Sequence, residues 1–318
     1  MDLSGLVGRV VAMVGDATVL LRHRGAPPPA PAMGGAPSIP EAKAQGAFPT
    51  LKMPTARGWP EGRIPVAAPG LRVNAFATGL KHPRWLEVLP NGDVLAAEAL
   101  FVPGGRRSVF DYAMYSTMKR AAAVGVSPNR IVRLRDADGD GRAELAETFL
   151  DGLNQPFGMA LVGDTFYVGN TDGVLAYAWD TAGARPHGSG RTIATFKPGG
   201  HWTRSLLPSP DGRRLFVGVG SLSNIGEHGM AAEEGRACIW ELDLATGAAR
   251  IFASGLRNPV GLAWEPTTGV LWTVVNERDG LGDETPPDYL TSVQENGFYD
   301  WPSCYWGRTV DDRVPHDP

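Results

Sequence analysis

The chain has 318 residues, 43% of them hydrophobic, with 41 glycines, 27 prolines and a formal charge of -4 at pH 7. That length holds one large domain or two ordinary ones, and the glycine and proline content favours short strands and many turns over long helices. The mildly acidic balance gives no electrostatic reason to expect nucleic acid as a partner, and the two cysteines, Cys238 and Cys304, lie in no CxxC or Cys/His spacing that would mark a zinc site.

Residues 6–21, LVGRVVAMVGDATVLL, are apolar but interrupted by Arg9 and Asp16. The stretch is too short and too charged for a transmembrane helix. No basic residue precedes it and no clean A-x-A site follows, so it also makes a poor secretory signal. It reads as the remnant of a signal or as a short helix. Residues 24–40, RGAPPPAPAMGGAPSIP, read as a Pro/Ala/Gly-rich linker. The folded domain is therefore expected over about 70–318, with 1–69 as apolar segment and linker.

From there one pattern recurs. FATGLKHPRWLEVLPNGDVLAAEA (76–99) runs Phe, two residues, Gly-Leu, two residues, Pro, then two apolar strands around a turn. An insertion follows near 100–128, in which DYAMYSTMKRAAAVG (111–125) is helix-like and expected to cap a face. RIVRLR and LAETFL then flank DADGDGRAELAE (136–147). That run fits the EF-hand spacing with Asp136, Asp138, Asp140, Gly141 and Glu147, and carboxylates at alternate positions of a tight loop can converge on a peripheral calcium. Its flanks are strands and not helices, so a solvated Asp/Gly hairpin turn is an equal reading. The pattern returns at 149–179 (FLDGLNQPFGMALVGDTFYVGNTDGVLAYAW) and at 252–277 (FASGLRNPVGLAWEPTTGVLWTVVNE). Between them lies a copy without the Gly-Leu-x-x-Pro signature, GGHWTRSLLPSPDGRRLFVGVG, followed by RACIWELDLATGAARIFASG.

A unit of about 50 residues with four short strands predicts an all-β fold, a β-propeller of four-stranded blades. RLFVGVG and VLWTVV are continuous apolar runs, as strands covered on both faces should be. About four blades are visible, with inner strands in 84–135, 158–179, 203–242 and 260–294. In a propeller the loops leading into the innermost strands crowd one face of the central channel, where ligands bind. Those four corners carry different polar groups: Lys81-His82-Pro83-Arg84, Asn154-Gln155-Pro156, His201-Trp202-Thr203-Arg204 and Arg257-Asn258-Pro259. His201 is thus a candidate ligand-facing residue, with Trp202 read as packing.

At these corners, and across GLKHPRWLEVLPNGDVLAAEA, NRIVRLRDADGDGRAE, HWTRSLLPSPDGRRLFVGVGSLSN, GLRNPVGLAWEP and VNERDGLGDETPPDYLTSVQENGFYDWP, the sequence resembles the glucose/sorbosone dehydrogenase family of soluble quinoproteins. The resemblance runs from about residue 49 to the end. It implies a six-bladed propeller carrying pyrroloquinoline quinone and calcium, of which the last two blades are expected to be absent here. It implies a sugar substrate, His201 as the base that takes the hydroxyl proton, and Arg257 and Asn258 as cofactor contacts. Gln155 and Arg204 are further candidate contacts, and backbone carbonyls near Asp279 and Gly280 are candidate ligands of the cofactor's calcium. It also implies a periplasmic or secreted location; neither the electron acceptor nor the oligomeric state is legible. An acidic residue precedes the histidine in the characterised glucose enzyme, whereas this chain has Gly200.

Two other readings stay open: a calcium-dependent lactonase-type propeller, with Glu98, Asn154, Asn258 and Asn276 around a channel metal, or a truncated propeller that only binds a partner. Cys238 and Cys304 are either one disulfide or two separate thiols.

Overall fold

The computed structural model describes residues 41–42, 55–60, 62–104, 109–282, 285–306 and 309–314, so the apolar segment 6–21 and the linker 24–40 lie outside the described residues. Four sheets follow one another along the chain, each a simple antiparallel meander. The first blade comprises β1 (Pro83–Val88), β2 (Val94–Glu98), β3 (Arg130–Arg135) and β4 (Leu145–Leu150). The second comprises β5 (Met159–Val162), β6 (Thr165–Asn170), β7 (Gly173–Asp180) and β8 (Arg185–Thr195). The third comprises β9 (Arg204–Pro208), β10 (Arg214–Val219), β11 (Cys238–Asp243) and β12 (Ala249–Ser254). The fourth has three strands among the described residues, β13 (Pro259–Trp264), β14 (Leu271–Val275) and β15 (Tyr289–Val293), followed by the hairpin β16 (Cys304–Tyr305) and β17 (Thr309–Val310). The expected arrangement of propeller blades is therefore what the chain adopts. In the insertion of the first blade a helix, α1, spans Val109–Arg120, with Lys119 and Arg120 in its last turn, where they oppose the helix dipole.

The turns follow from local chemistry. In the β9–β10 loop the Ser209 hydroxyl donates to the Asp211 carboxylate, and the Gly212 N–H donates to the Ser209 carbonyl at 2.9 Å. Pro210 and Gly212 supply the backbone angles that such a turn needs.

In the third blade the apolar run is continuous because both faces of the middle strand are covered; the expectation fails for VLWTVV, whose strand β14 leaves Val274 exposed because among the described residues it lies in the last blade of the arc. On β10, Leu215, Val217 and Val219 point toward the second blade and pack with Tyr167, Val174 and Phe196. Phe216, between them, points the other way and packs with Phe252, Leu262 and Leu271 across the third and fourth blades. A third cluster joins the first two blades through Leu95, Ile131, Met159 and Phe166. Each seam between neighbouring blades thus owns one apolar cluster. The outer ends of the arc differ: Leu86 and Val88 on β1 and Leu290 on β15 are exposed.

Cys238 is fully buried and Cys304 half-buried, and both are free thiols. Among the described residues no helix is long and apolar enough to cross a membrane.

Phe216 is the tightest test of the seam packing. It is 2% exposed and meets Phe252 and Trp264 edge-on at 5.0 and 5.3 Å. Phe216→Ala is expected to cost about 3–5 kcal/mol in unfolding free energy, whereas Leu290→Thr on the exposed end should change it by less than about 0.5 kcal/mol. Denaturant titration of the two variants measures both.

Candidate active site

His201 stands just ahead of β9, and its surroundings are built by the chain end of β10. The His201 backbone N–H donates to the Ser221 carbonyl at 3.0 Å. The imidazole Nδ1 lies 2.9 Å from that same oxygen and 3.1 Å from the Ser221 hydroxyl oxygen. The Ser221 hydroxyl spends its proton on the Ser223 carbonyl at 2.6 Å. Both groups at Nδ1 are therefore acceptors, so a neutral imidazole carries its proton on Nδ1 and leaves the Nε2 lone pair free.

This close approach explains Gly200. Its φ is +57°, and a Cβ there would sit 2.4 Å from the Leu222 carbonyl oxygen and 2.6 Å from that of Ser221. No L side chain fits such a position. An acidic residue ahead of the histidine is sterically excluded, and the Ser221 carbonyl orients the ring in its place.

The neighbouring corner, at the start of β13, supplies Arg257 and Asn258. A Cβ on Gly220 would meet the Asn258 Oδ1 at 2.2 Å and the His201 Cβ at 2.6 Å, so the two side chains flank one bare stretch of β-strand end. Asn258 is 7% exposed; its Nδ2 donates to the Asn276 Oδ1 at 3.2 Å, while its own Oδ1 is buried with no donor in the protein. Arg257 ties the channel mouth together: Nε donates to the Asn224 carbonyl at 3.1 Å, Nη2 to the Asn224 Oδ1 at 2.8 Å and to the Asp279 carboxylate at 3.2 Å, and Nη1 to the Glu277 carbonyl.

The electrostatics are one-sided. Burial, followed by the charges of Arg257, Arg236 and Arg204, pulls the His201 imidazole down to about 4. Burial and the adjacent Arg236 draw Arg204 down to about 9, which leaves it charged at neutral pH. Among the described residues neither Arg204 nor Arg236 forms an ion pair, and Arg257 has only the exposed Asp279 carboxylate. The corner is a neutral base inside a cationic field.

The other expected site residues are placed as follows in the fold. Arg204 is fully enclosed, and its Nη1 donates to the His201 and Thr203 carbonyls at 2.9 and 2.8 Å. It braces the corner from behind, and its Nε and Nη2 are buried without a partner in the protein. Gln155, at the second corner, spends its amide on the Leu100 carbonyl at 3.0 Å. Trp202 packs edge-on against Phe157 at 6.2 Å with the Arg84 guanidinium over its ring at 5.3 Å, as a packing residue should. The Asp279 carbonyl already accepts from the Asn224 Nδ2 at 3.0 Å and the Arg278 Nε at 3.2 Å, so it is not a free cation ligand here; Gly280 follows at φ +98°. In the acidic loop, Asp136, Asp138 and Asp140 do converge, but the fourth carboxylate within 4.8 Å is Glu144. Glu147 lies on β4 and pairs with Arg133 on β3, because the hairpin turns before an EF-hand's second helix would begin. The Asp136 carboxylate accepts from the Gly139 and Gly141 N–H groups at 2.7 and 2.9 Å, and Glu144 accepts from the Ala137 N–H at 2.7 Å, so the loop is held by its own backbone.

Sequence reasoning missed Ser221, Asn224 and Arg236. The only hint was position: SLSN follows the apolar run of β10, and Arg236 immediately precedes the buried run of β11, which places both at strand ends facing the corners.

Residues 65–305 match the model of a family described as TrAA12-like. The chain belongs to that family. Over 271 residues this TrAA12-like chain is 26% identical to a pyrroloquinoline quinone-dependent sugar dehydrogenase of Hypocrea jecorina (strain QM6a), covering 76% of the chain and 57% of the relative. Its fold matches that of the Trichoderma reesei carbohydrate-active enzyme of family AA12 at a TM-score of 0.59 and 24% identity, covering 76% of this chain and 60% of that one. It also matches the pyrroloquinoline quinone domain of pyranose dehydrogenase from Coprinopsis cinerea at 0.58 and 18% identity, covering 79% and 61%. The TrAA12-like chain therefore spans well under two thirds of the length of these relatives. The resemblance to quinone-dependent sugar dehydrogenases read from its sequence is borne out.

The His201 environment has a measurable consequence. The unfolded imidazole takes its proton near 6.5 and the folded one only near 4, so between those values the unfolded chain binds the extra proton. Stability from this group is complete above pH 6.5 and is lost as the pH falls toward 4. Denaturant unfolding of wild type and His201→Gln from pH 7.5 to 4.5 is expected to show the steeper acid loss in wild type. Parallel curves would exclude a buried neutral imidazole.

Proposed function

We propose that the chain carries the base and part of the cofactor corner of a quinone-dependent sugar oxidoreductase, in which His201 accepts a hydroxyl proton from an aldose or related sugar. The observation that carries this reading is the His201 imidazole with its Nε2 lone pair free, placed beside Asn258 in a cationic field.

Pyrroloquinoline quinone is a planar tricarboxylate, and the chemistry of the corner fits it. Three guanidinium groups lower the His201 imidazole; Glu233 acts on Arg236 and Asp279, Glu277 and Asp288 act on Arg257, yet at the ring itself the cations prevail, which favours an anionic ligand. The buried, unpartnered Asn258 Oδ1 offers an acceptor to a ligand N–H or O–H. When bound, the quinone supplies a two-electron acceptor for the hydride leaving the sugar's carbinol carbon. Arg257 and Asn258 would hold it. His201 Nε2 takes the proton of the same hydroxyl, so proton and hydride leave together as the C–O bond becomes a carbonyl. Because burial and three cations keep the imidazole unprotonated down to about pH 4, the base is available across the whole neutral range.

Calcium is a second expectation. No protein step here runs through it, since the Asp279 carbonyl is already taken by two donors and the Asp279 carboxylate pairs with Arg257 at 3.2 Å. A periplasmic or secreted location belongs to this reading on resemblance alone.

A lactonase-type channel metal has less support. Glu98 spends its carboxylate on Arg130 at 2.6 Å and on the Lys81 N–H, and Asn154 donates to Asp172 at 2.8 Å. Arg257 lies between the remaining two amides' segments and repels a cation there.

Titration of the purified chain with pyrroloquinoline quinone, with and without calcium, tests the reading. Quinone binding followed by absorbance, and dichlorophenolindophenol reduction by aldoses that drops about 10²–10⁴-fold in His201→Ala, is the expected result. Turnover that survives His201→Ala would remove the histidine from the reaction. Lactone hydrolysis with calcium and no quinone would replace the reading altogether.

A further inference from the structure

We infer that Arg236 is a positioning residue for the His201 imidazole: its guanidinium gathers the carbonyl cage that decides which ring nitrogen carries the proton. Its consequence for turnover rests on the dehydrogenase reading above; its effect on the ring does not.

Arg236 is 6% exposed and sits just ahead of β11, behind the His201 turn. Its Nη1 donates to the Lys197 carbonyl at 2.6 Å. Its Nη2 faces three more, those of Gly199 at 2.7 Å, His201 at 3.1 Å and Ser221 at 3.2 Å. One planar fork therefore collects four carbonyls from two segments that are not neighbours in sequence. The Ser221 oxygen is the one that accepts His201 Nδ1–H. Without a central cation, the negative ends of the Gly199, His201 and Ser221 carbonyls would converge on one another and the turn would open. The far side of the loop is fixed separately: the Glu233 carboxylate accepts the Leu222 and Ser223 N–H groups at 2.7 and 2.9 Å. Arg236 and Glu233 thus grip 221–223 from opposite sides, with opposite charges, and the Ser221 carbonyl is held pointing at the ring.

Lysine cannot replace this geometry. An ammonium carries its donors on a single nitrogen and cannot span from the Lys197 oxygen to the Ser221 oxygen, whereas the guanidinium does so with two. Charge alone and fork geometry are therefore separable.

The test uses the full chain labelled with ¹⁵N-histidine, without quinone, and a long-range ¹H–¹⁵N spectrum at pH 7.5. The chain has six histidines, and the signals lost in His201→Gln assign the ring. Wild type is expected to show one tautomer with the proton on Nδ1. Arg236→Gln and Arg236→Lys are expected to show mixed tautomers, with the lysine variant intermediate. Ser221→Ala keeps the carbonyl and should keep the Nδ1–H form. In chain loaded with quinone, Arg236→Gln should lower kcat by about 10²-fold with the sugar KM changed less than about threefold.

An Nε2–H tautomer in wild type overturns the proposal with no variant needed. So does a single Nδ1–H tautomer in both Arg236 variants accompanied only by a lower Tm, the signature of a merely structural residue. Loss of the Nδ1–H form in Ser221→Ala would assign the role to the hydroxyl and overturn it as well. Absence of quinone turnover in wild type would sink the dehydrogenase reading while leaving the tautomer result to stand or fall alone.

Discussion

A single carbonyl oxygen, that of Ser221, accepts from the His201 N–H, the His201 ring and Arg236, while the Ser221 N–H reaches across to the Arg257 carbonyl at 2.7 Å. Through that one residue the third and fourth blades are joined where the two candidate corners meet. Its geometry dictates glycine at 200, orients the imidazole and sets the spacing between His201 and Asn258. Disturbing it would disturb each of these together, because they share its two hydrogen-bonding groups.

The corner is strained electrostatically rather than sterically. Three guanidinium groups gather around an imidazole, and burial discourages every one of the charges. Backbone carbonyls and the carboxylates of Glu233, Glu277 and Asp279 share the compensating. An anion would lower the cost of such a site, which is what the proposed quinone-binding role asks of it. The overall charge of -4 gives no sign of it, since the effect is local and enclosed.

The blades position this site by a simple rule. Innermost strands β9 and β13 begin at the corners, so residues immediately ahead of them face the channel. Their middle neighbours differ: β10 is packed on both faces, whereas β14 buries Leu271, Thr273 and Val275 and leaves Val274 exposed. The ends of the arc, by contrast, present Leu86, Val88 and Leu290 to solvent. Membership of the TrAA12-like family agrees with the blade pattern.

Most of the blade pattern was legible in the sequence. Repeated Gly-Leu-x-x-Pro corners, turns such as Ser-Pro-Asp-Gly and unbroken apolar runs are local signals, and propeller blades are built from local pairings between consecutive strands. His201, Arg257 and Asn258 were legible for the same reason, since homologous corners can be compared by position. The partners of those residues were not. Ser221 and Arg236 lie 20 and 35 positions from His201 and meet it only when a blade closes. Likewise Glu147 fits the spacing of a calcium loop on paper, yet the β3–β4 register sends it to Arg133 and leaves Glu144 beside the aspartates. Arg204 reads as a candidate contact in the string HWTR, and only the packed sheets show that its side chain is fully enclosed and bonded to the His201 and Thr203 carbonyls, because alternate residues of a strand face opposite ways. Sequence by itself determined the blades, their turns and the position of the candidate histidine; the tertiary structure alone decided the tautomer, the charge field and the occupants of each corner, since these depend on contacts between segments whose separation carries no periodic signal.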